Sequence, residues 1–414
     1  MTAYGAGCIV RTQGETVFAS LPRARVGDGV RIGATPGRYG TVAAVERSRV
    51  IVVPFGSLAG VAVGDCVSLD PGALALPLGT AVLGRAIDSA GAPLDGGAVF
   101  AAEFFRDADA AAPAPHERLS VCVPFQTGIR AIDSLLTVGR GARVGFFGAP
   151  GAGKTTLLET IVAGARGDAV VLALVGERGR EAERWLARLD ARTTIVCATS
   201  DRSAAERVRA AEVAMAQAQH LRNRGLHVVL VVDSLARYVA ALRERCVALG
   251  EPVGRGGYPP SVWAALARYL ERAGNAARGS ITLLGTVLSD GDDERDPLCD
   301  AARSLLDGHI VLSSALGRAG HYPAIDVLAS ASRTMADVVD ADQASDARAV
   351  RAALARLAET RDARELGLAA MDDGLARAVA AEPALLAYLR QSAPGGGRDG
   401  RDGLRRIAAS LVPE

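Results

Sequence analysis

The sequence predicts an α/β protein in which a central region of alternating strands and helices follows a β-rich segment and precedes a helical one. Three observations predict this class: strand-like runs before residue 95, strand–helix alternation from residue 121, and a helical pattern from about residue 337. A length of 414 residues is enough for two or three domains. We therefore predict a β-rich domain at residues 1–95, a linker at 96–120, an α/β domain at 121–338, and a helical domain with a flexible tail at 339–414.

Short β-branched runs fill the first 95 residues, and Gly, Pro and Asp separate them at close spacing. The runs are Gly7–Arg11, Val17–Ser20, Gly29–Ile32, Tyr39–Val45, Val50–Val53 and Asp65–Ser68. Many short strands with frequent turns are typical of a small barrel or sandwich. No catalytic constellation is visible in this segment, which favours a structural or assembly role.

Continuous apolar runs mark the strands of the central region. They are Ala142–Phe147, Asp168–Val175, Thr193–Cys197, His227–Val232 and Ile281–Leu288. Such runs are typical of parallel sheets that are covered on both faces. Because Ser203–Arg224 has apolar residues at helical spacing, the alternation predicts a parallel sheet with right-handed crossovers.

Helices dominate the last part of the chain. We predict them at Ser345–Glu365 and Asp373–Arg390. The Gly-rich stretch Pro394–Gly400 predicts a flexible tether, and a short helix at Leu404–Leu411 follows it.

One glycine-rich stretch, Gly148–Thr156, matches the phosphate-loop pattern G-x-x-x-x-G-K-[ST] at each fixed position. It lies between a predicted strand and the helix-like run Leu157–Ala163, which is the context that this motif requires. The glycines allow backbone N–H groups to surround phosphate oxygens, and the helix N-terminus adds positive potential. Lys154 would reach the β- and γ-phosphates, and Thr155 would offer its hydroxyl to Mg²⁺. The predicted nucleotide-binding residues of the loop are Gly148, Gly151, Ala152, Gly153, Lys154, Thr155 and Thr156.

Lys154 is the only lysine in the chain, and the other 46 of the 47 basic residues are arginines. A lysine is a compact charge on a thin stem, whereas a planar guanidinium would not fit a phosphate cradle. The single lysine therefore strengthens the prediction that the loop binds phosphate.

Two carboxylates follow predicted strands of the central region. Asp233 ends an apolar strand, a position from which a carboxylate usually holds Mg²⁺, and we predict that it does so through water. Glu177 ends another strand and could orient a water for attack on the γ-phosphate. The alternative for Glu177 is a helix-start carboxylate stabilised by the helix dipole, a role that Glu181 fits better. Arg178 could contact phosphate or form an ion pair with Glu181.

The composition excludes several other classes of function. A net charge of +1 and an isoelectric point of about 7.7 give no basic field for nucleic acid, and 4% aromatic residues offer few base-stacking platforms. We expect neither a membrane helix nor a signal peptide, since the sequence has no suitable apolar run. The six scattered cysteines contain no C-x-x-C pair, so we expect small buried apolar thiols in a reducing cytosol.

Several further stretches resemble one family closely. They are Thr127–Asp133 (TGIRAID), Gly176–Glu181 (GERGRE), Ala198–Glu206 (ATSDRSAAE), Asp233–Tyr238 (DSLARY), Gly257–Val262 (GYPPSV), Asp307–Ser313 (DGHIVLS) and Gly320–Arg333 (GHYPAIDVLASASR). Together with the phosphate loop they resemble the type III protein-secretion ATPases, close kin of the flagellar export ATPases among the F-type/Rho-like hexameric ATPases. The resemblance covers roughly residues 5 to 390, and the GERGRE and GHYPAID strings are its most specific parts.

This resemblance implies a fold and a set of residue roles. The implied fold is an N-terminal β-barrel, a RecA-like P-loop ATPase core and a C-terminal α-helical domain, assembled as a homohexamer with ATP and Mg²⁺ at subunit interfaces. Glu177 would be the catalytic carboxylate, and Asp233 would hold Mg²⁺. Arg333 matches the arginine finger that reaches a neighbouring subunit's γ-phosphate, and Tyr322 matches the aromatic residue that packs on adenine.

The sequence also departs from the family pattern. Gly256 stands where the family usually has a basic residue before GYPPS, and Ser314 stands in place of an arginine. An aromatic-bearing stretch of the C-terminal domain is missing around Arg364–Asp372. Contacts to a stalk protein or to adenine are therefore expected to differ.

The resemblance implies an ATP-hydrolysing motor of a type III secretion system that releases chaperones and unfolds and exports proteins. The implied partners are a coiled-coil stalk protein, a stator protein, the export gate and chaperone–effector complexes, at the cytoplasmic face of the bacterial inner membrane. Two alternatives that also hydrolyse ATP are a flagellar export ATPase and a hexameric nucleic-acid translocase on the same fold. A ring subunit that binds nucleotide only for assembly is a further alternative, which Lys154, Glu177 and Asp233 disfavour.

Overall fold

The computed structural model describes residues 5–33, 37–100, 104–107, 111–165, 167–288, 296–392 and 398–412. The chain forms two compact units, Met1–Ala114 with Ala169–Arg272 and Pro115–Asp168 with Ala273–Glu414. This division follows spatial contacts, so the domain boundaries predicted from the sequence stay predictions.

The described residues contain strands in both units. In chain order these are β1 (Ala6–Gln13), β2 (Thr16–Ser20), β3 (Gly29–Ile32), β4 (Arg38–Val45), β5 (Val50–Pro54), β6 (Cys66–Leu69), β7 (Ala75–Leu78), β8 (Ala86–Ile87), β9 (Phe104–Asp107), β10 (Pro124–Phe125), β11 (Val138–Gly139), β12 (Arg143–Gly148), β13 (Ala169–Val175), β14 (Thr193–Ala198), β15 (His227–Asp233), β16 (Gly274–Asn275), β17 (Ser280–Leu288), β18 (Gly308–Leu312) and β19 (Ile325–Ser332).

The α-helices of the described residues are α1 (Arg130–Leu135), α2 (Lys154–Gly164), α3 (Gly179–Leu186), α4 (Ala204–Asn223), α5 (Leu235–Ala248), α6 (Pro260–Glu271), α7 (Pro297–Leu305), α8 (Ser314–Arg318), α9 (Met335–Val338), α10 (Ala341–Glu359), α11 (Arg361–Glu365), α12 (Asp373–Leu389) and α13 (Arg398–Leu411). No helix among the described residues is long and apolar enough to cross a membrane.

The first six strands form a closed barrel in the order β1-β2-β5-β4-β3-β6. All six strand-like runs of the sequence are confirmed, and the closed order decides between the two alternatives in favour of a barrel. The interior is apolar because alternate side chains of each strand point inward; fully buried examples are Val17, Val30, Val52 and Val67.

The rest of the first unit is a parallel sheet flanked by helices. Its strands run in the order β8-β14-β13-β15, and β13 pairs in parallel with both β14 and β15. Every residue of β13 and β15 is buried, which explains their continuous apolar sequences. Strand β9 lies in the segment predicted as a linker and pairs with β7.

Serine side chains cap the N-termini of two helices of this unit, α4 and α5. Ser203 accepts a hydrogen bond from the Glu206 amide, and Glu206 accepts one from the Ser203 amide, which makes a capping box at the start of α4. Ser234 likewise accepts from the amide of Arg237 at the start of α5. Helix α4 contacts the residue that follows β5, since Arg209 lies 4.3 Å from the Phe55 ring centre. Arg209 also donates to the Ser89 carbonyl.

The second unit contains a sheet segment and the C-terminal helices. Strand β12 pairs in parallel with β17 and β18, and β19 pairs antiparallel with β18. Helices α10, α12 and α13 pack on one another and on α1. Polar contacts join these helices, since Ser134 and Tyr388 hydroxyls are 2.6 Å apart and Gln343 donates to the Asp133 carbonyl.

The terminal helix α13 is longer than the sequence predicts, since it begins at Arg398 rather than Leu404. Gly400 was predicted to end a flexible tether and Gly403 to precede the helix, but both lie within the helix. A Cβ on Gly403 would lie 2.9 Å from the Tyr388 ring, and the Tyr388 hydroxyl donates to the Gly400 carbonyl at 2.8 Å. Part of the predicted tether Pro394–Gly400 lies outside the described residues.

The prediction that every thiol is buried was wrong for half of the cysteines. Cys246 and Cys299 are buried and Cys197 is half-buried, whereas three thiols are exposed: Cys8, Cys66 and Cys122. For Cys8 and Cys66 composition could not reveal this, because the outward face of a barrel strand carries whichever residue falls at alternate positions.

Candidate nucleotide site

The predicted phosphate loop joins the C-terminal end of β12 to the N-terminus of α2 in the second unit. Gly151 and Gly153 adopt left-handed conformations with φ of 82° and 92°, which disfavour any other residue. Helix α2 begins after Gly153 without a side-chain cap, so no side chain competes for the amides of its first turn. A Cβ on Gly148 would lie 3.0 Å from the Leu312 carbonyl oxygen, which explains the first glycine of the motif.

Lys154 is held over the loop rather than extended into solvent. Its Nζ donates to the carbonyls of Gly148 at 2.5 Å and Ala149 at 2.8 Å, and the residue is 9% exposed. Ala152 is buried, Thr155 half-buried and Thr156 exposed. The backbone around Lys154 therefore fixes an ammonium group above the amides of a phosphate-binding turn.

Glu177 and Asp233 are brought together in the first unit by the pairing of two parallel strands. Asp233 is the last residue of β15 and is in register with Leu174 of β13, three positions before Glu177. Glu177 is 5% exposed and Asp233 is 6% exposed. Two buried carboxylates thus stand at the same sheet edge, as expected for the carboxyl ends of parallel strands.

Burial, and after it the negative charge of Asp233, are the main causes that raise the pKa of Glu177 to about 8. A hydrogen bond with Glu181 acts in the same direction, whereas the positive charge of Arg237 lowers the pKa. The Arg237 Nε lies 2.8 Å from the Glu177 Oε1. The site therefore holds an acidic group whose protonation changes near neutral pH, which is typical of catalytic carboxylates.

Two residues beside these carboxylates, Arg237 and Gly176, were given no role by the sequence. Arg237 forms the ion pair with Glu177, and its position in the first turn of the helix after Asp233 was the available signal. Gly176 has a φ of 69°, and a Cβ there would lie 3.2 Å from the Arg237 Cδ. Glycine is thus required where the chain turns from β13 toward Glu177.

Arg178 caps helix α3 through its backbone, and its side chain is exposed. Within the described residues, no ion pair joins the guanidinium of Arg178 to Glu181, which instead hydrogen-bonds Glu177. Of the two roles considered for Arg178, the bridge to Glu181 is therefore not formed here.

Strand registers in the second unit separate Tyr322 from Arg333. Strand β19 begins at Ile325, which pairs with Leu312 next to the phosphate loop, and ends at Ser332, which pairs with Gly308. Tyr322, at 56% exposure, thus lies toward the loop edge. The Arg333 amide donates to the Asp307 carbonyl, and the Asp307 amide donates to the carbonyl of Arg143 at the start of β12.

Arg333 consequently lies beside the N-terminal end of β12, whereas the phosphate loop of the same chain follows the C-terminal end of this strand. The five steps along β12 from Arg143 to Gly148 span about 17 Å. The Arg333 guanidinium is exposed and donates to the Arg303 carbonyl at 3.1 Å. An arginine placed there cannot contact a phosphate bound in its own loop.

The residues present fit a nucleoside triphosphate with Mg²⁺. The turn supplies left-handed glycines, uncapped helix amides and a fixed ammonium group, which suit phosphate oxygens. The Thr155 hydroxyl in the second unit is an oxygen donor of the kind that Mg²⁺ prefers, and the Asp233 carboxylate in the first unit is another. A phosphate loop and buried carboxylates at strand ends define the class of P-loop nucleotide-binding proteins.

Comparison with known proteins narrows this class. Residues 128–332 match the family model "ATP synthase alpha/beta family, nucleotide-binding domain". The chain is 43% identical over 398 residues to a type 3 secretion system ATPase of Sinorhizobium fredii, an alignment that covers 93% of this chain and 88% of the relative. It is 40% identical over 399 residues to the flagellum-specific ATP synthase of Pseudomonas aeruginosa, with the same coverage of both chains.

A solved structure extends the similarity to the whole fold. The assembled ATPase EscN from the enteropathogenic Escherichia coli type III secretion system has a TM-score of 0.93 and 37% identity, and the match covers 97% of this chain and 100% of the EscN chain in that structure. The chain belongs to the family of the type 3 secretion system ATPases and flagellum-specific ATP synthases, and its residues 128–332 match the ATP synthase alpha/beta nucleotide-binding domain.

Proposed function

We propose that this chain is the ATP-hydrolysing motor of a type III protein secretion system and works as a homohexamer. The observation that carries the hydrolytic part is Glu177, a buried carboxylate with a raised pKa beside Asp233 at the ends of parallel strands. Burial of two carboxyl groups is energetically unfavourable, and a protein that bound nucleotide only for assembly would not require it.

The proposed roles divide between phosphate, metal and water. The loop amides, the loop residues from Gly148 to Thr156 and the Lys154 ammonium hold the phosphates. Thr155, and Asp233 through water, would hold Mg²⁺, which would neutralise charge on the β- and γ-phosphates when bound. Glu177 orients the attacking water and accepts its proton, which requires the ionised carboxylate.

Arg237 has a distinct role in this proposal. Its charge opposes the burial and the Asp233 charge that keep Glu177 protonated. The ion pair also fixes the carboxylate by one oxygen. Arg237 is therefore a positioning residue that favours the ionised, water-accepting form of Glu177.

Residues at the surface would complete the site from another subunit. Arg333 is proposed as the arginine finger in trans, since it lies at the edge opposite to its own loop. Tyr322 is proposed to pack on adenine, and Arg178 to contact phosphate.

The export role rests on the relatives. Proteins about 40% identical over most of the chain are named as type 3 secretion system ATPases or flagellum-specific ATP synthases. The EscN ATPase has also been solved in complex with its central stalk EscO, and that structure matches this chain with a TM-score of 0.90. We propose a coiled-coil stalk protein as a partner here, together with a stator protein, an export gate and chaperone–effector complexes at the cytoplasmic face of the inner membrane.

A flagellar export ATPase and a nucleic-acid translocase are the alternatives to this proposal. The flagellar export role is the second candidate, since the flagellum-specific relative is 40% identical to the chain and the secretion relative is 43% identical. The nucleic-acid translocase has no support, since the net charge is only +1 and the relatives reported above are named for secretion or the flagellum. Stimulation of ATP hydrolysis by a stalk protein, but not by RNA or single-stranded DNA, is the expected result.

The test of the hydrolytic assignment is Glu177→Gln. Removing the carboxylate while keeping its shape should lower the ATP hydrolysis rate by at least about 100-fold and leave ATP binding intact. Glu183→Gln, an exposed change in the same helix–loop region, is the matched control and should keep full activity. Unchanged hydrolysis in Glu177→Gln would overturn the assignment of the base.

A further inference from the structure

Two exposed cysteines face each other where the N-terminal barrel closes on itself. The first and last strands, β1 and β6, form the seam, which contains three register pairs: Ala6 with Ser68, Gly7 with Val67, and Cys8 with Cys66. Direct partners on antiparallel strands have their side chains on the same face of the sheet. Cys8 and Cys66 thus lie side by side on the outside of the barrel, although 58 positions separate them in the sequence.

The hydrogen-bond pattern shows which kind of pair this is. The Ile9 amide donates to the Asp65 carbonyl, and the Leu69 amide donates to the Gly5 carbonyl. Bonded pairs alternate along an antiparallel ladder, so Cys8 and Cys66 form a non-hydrogen-bonded pair. The Cα atoms of such a pair are about 4.5 Å apart, within the range that a disulfide can bridge.

We propose that Cys8 and Cys66 are a thiol-oxidation site that forms a reversible disulfide across the barrel seam. The co-reactant is a small-molecule disulfide such as oxidised glutathione. One cysteine thiolate attacks a sulfur of this disulfide and releases one small thiol; the second thiolate attacks the resulting mixed disulfide and releases the other. Two cysteine thiols are oxidised, one disulfide is reduced to two thiols, and the protons pass to the leaving thiolates.

The other four cysteines do not offer such a site. Cys246 and Cys299 are buried, and burial raises the pKa of the half-buried Cys197 to about 11, which suppresses the reactive thiolate. Cys122 is exposed, but within the described strands no cysteine is its register partner. Oxidation should therefore select the seam pair.

The bond would hold the seam closed without moving the nucleotide site. It would join residues that already pair, so the folded barrel keeps its shape, and the linked chain has fewer unfolded states. Because the pair is exposed, small thiols can reduce the bond again. ATP hydrolysis should stay the same, whereas opening of the seam should become rarer.

The experiment treats the purified full-length protein with oxidised glutathione and follows thiol content and intact mass. We expect the loss of two thiols and of about two mass units, and a tryptic species that joins the peptide ending at Arg11 to the peptide between Arg49 and Arg85. Amide exchange in β1 and β6 should slow at least about tenfold and recover after reduction. Exchange in helix α2 should stay unchanged.

Three single variants make the test specific. Cys8→Ser and Cys66→Ser should each abolish the cross-linked species and the slower exchange, whereas Cys122→Ser should retain both. If one seam variant fails to fold, the other still decides the question. Stable glutathione adducts on the separate cysteines, a cross-link that includes Cys122, or exchange that does not slow on oxidation would each overturn the proposal.

Discussion

Glu177 shows how a single residue of this protein is tuned by its surroundings. Its carboxyl group is buried at the end of β13, and both burial and the Asp233 charge raise its pKa from 4.5 to about 8. The folded chain therefore keeps a proton that the unfolded chain releases at much lower pH. Between these two pKa values the unfolded state binds fewer protons, so the free energy of unfolding falls as the pH rises.

Glu177→Gln should remove this pH dependence in the nucleotide-free protein. We expect the variant to be more stable than the native chain at pH 8.5 by about 2 kcal/mol and close to it at pH 4.5. Urea unfolding across this pH range measures the difference, with Glu183→Gln as the exposed control. Parallel stability curves for native and Glu177→Gln chains would contradict the raised pKa.

Helix α13 shows why an element can differ from its sequence pattern. Glycine lowers helix propensity, so the Gly-rich stretch that ends at Gly400 predicts a flexible segment and a helix that begins only at Leu404. In the folded chain the Tyr388 ring approaches Gly403 too closely for a side chain, and its hydroxyl binds the Gly400 carbonyl. Tertiary packing therefore makes a helix where local propensity opposes one.

The two glycines should respond oppositely to the same substitution. Gly403→Ala should destabilise the protein by roughly 1–2 kcal/mol, because the new Cβ would lie 2.9 Å from the Tyr388 ring. Gly400→Ala should be neutral or stabilising by up to about 1 kcal/mol, since its nearest contact is an Arg130 side-chain carbon at 3.4 Å. Urea midpoints followed by circular dichroism compare the two; stabilisation by Gly403→Ala would show that the ring is not fixed.

At the scale of the whole molecule, Arg333 lies too far from the phosphate loop of its own chain to contact a phosphate bound there. Arg333 is exposed near the N-terminal end of β12, and the loop follows the C-terminal end of the same strand. A head-to-tail contact between identical chains places opposite surfaces of the protein against each other. Such a ring would bring Arg333 of one chain to the loop of the next, which makes hydrolysis dependent on assembly.

Mixed rings test this arrangement. Arg333→Ala and Lys154→Ala should each abolish hydrolysis alone, the first by at least about 1000-fold. A one-to-one mixture should recover activity, because about a quarter of head-to-tail interfaces then contain both an intact loop and an intact finger. Native activity per chain should also rise with protein concentration. No recovery at any mixing ratio would mean that Arg333 does not act in trans.

The sequence alone was enough for several features that depend on local spacing. The six strand runs of the barrel, the buried strands of the sheet and the phosphate loop follow from periodicity and from a motif with fixed positions. Glu177 and Asp233 were predicted because a carboxylate directly after an apolar strand is a local signal. Arg333 and Tyr322, each one of many similar residues, came only from the family resemblance.

Only the tertiary structure decided what depends on long-range pairing. It closed the barrel and brought Cys8 next to Cys66, made Arg237 the partner of Glu177, and extended α13 through two glycines. It also separated Arg333 from Tyr322 by the length of β19. The physical reason is common to all four, since strand register and side-chain packing join residues far apart in sequence, and no local pattern encodes which distant residue becomes the neighbour.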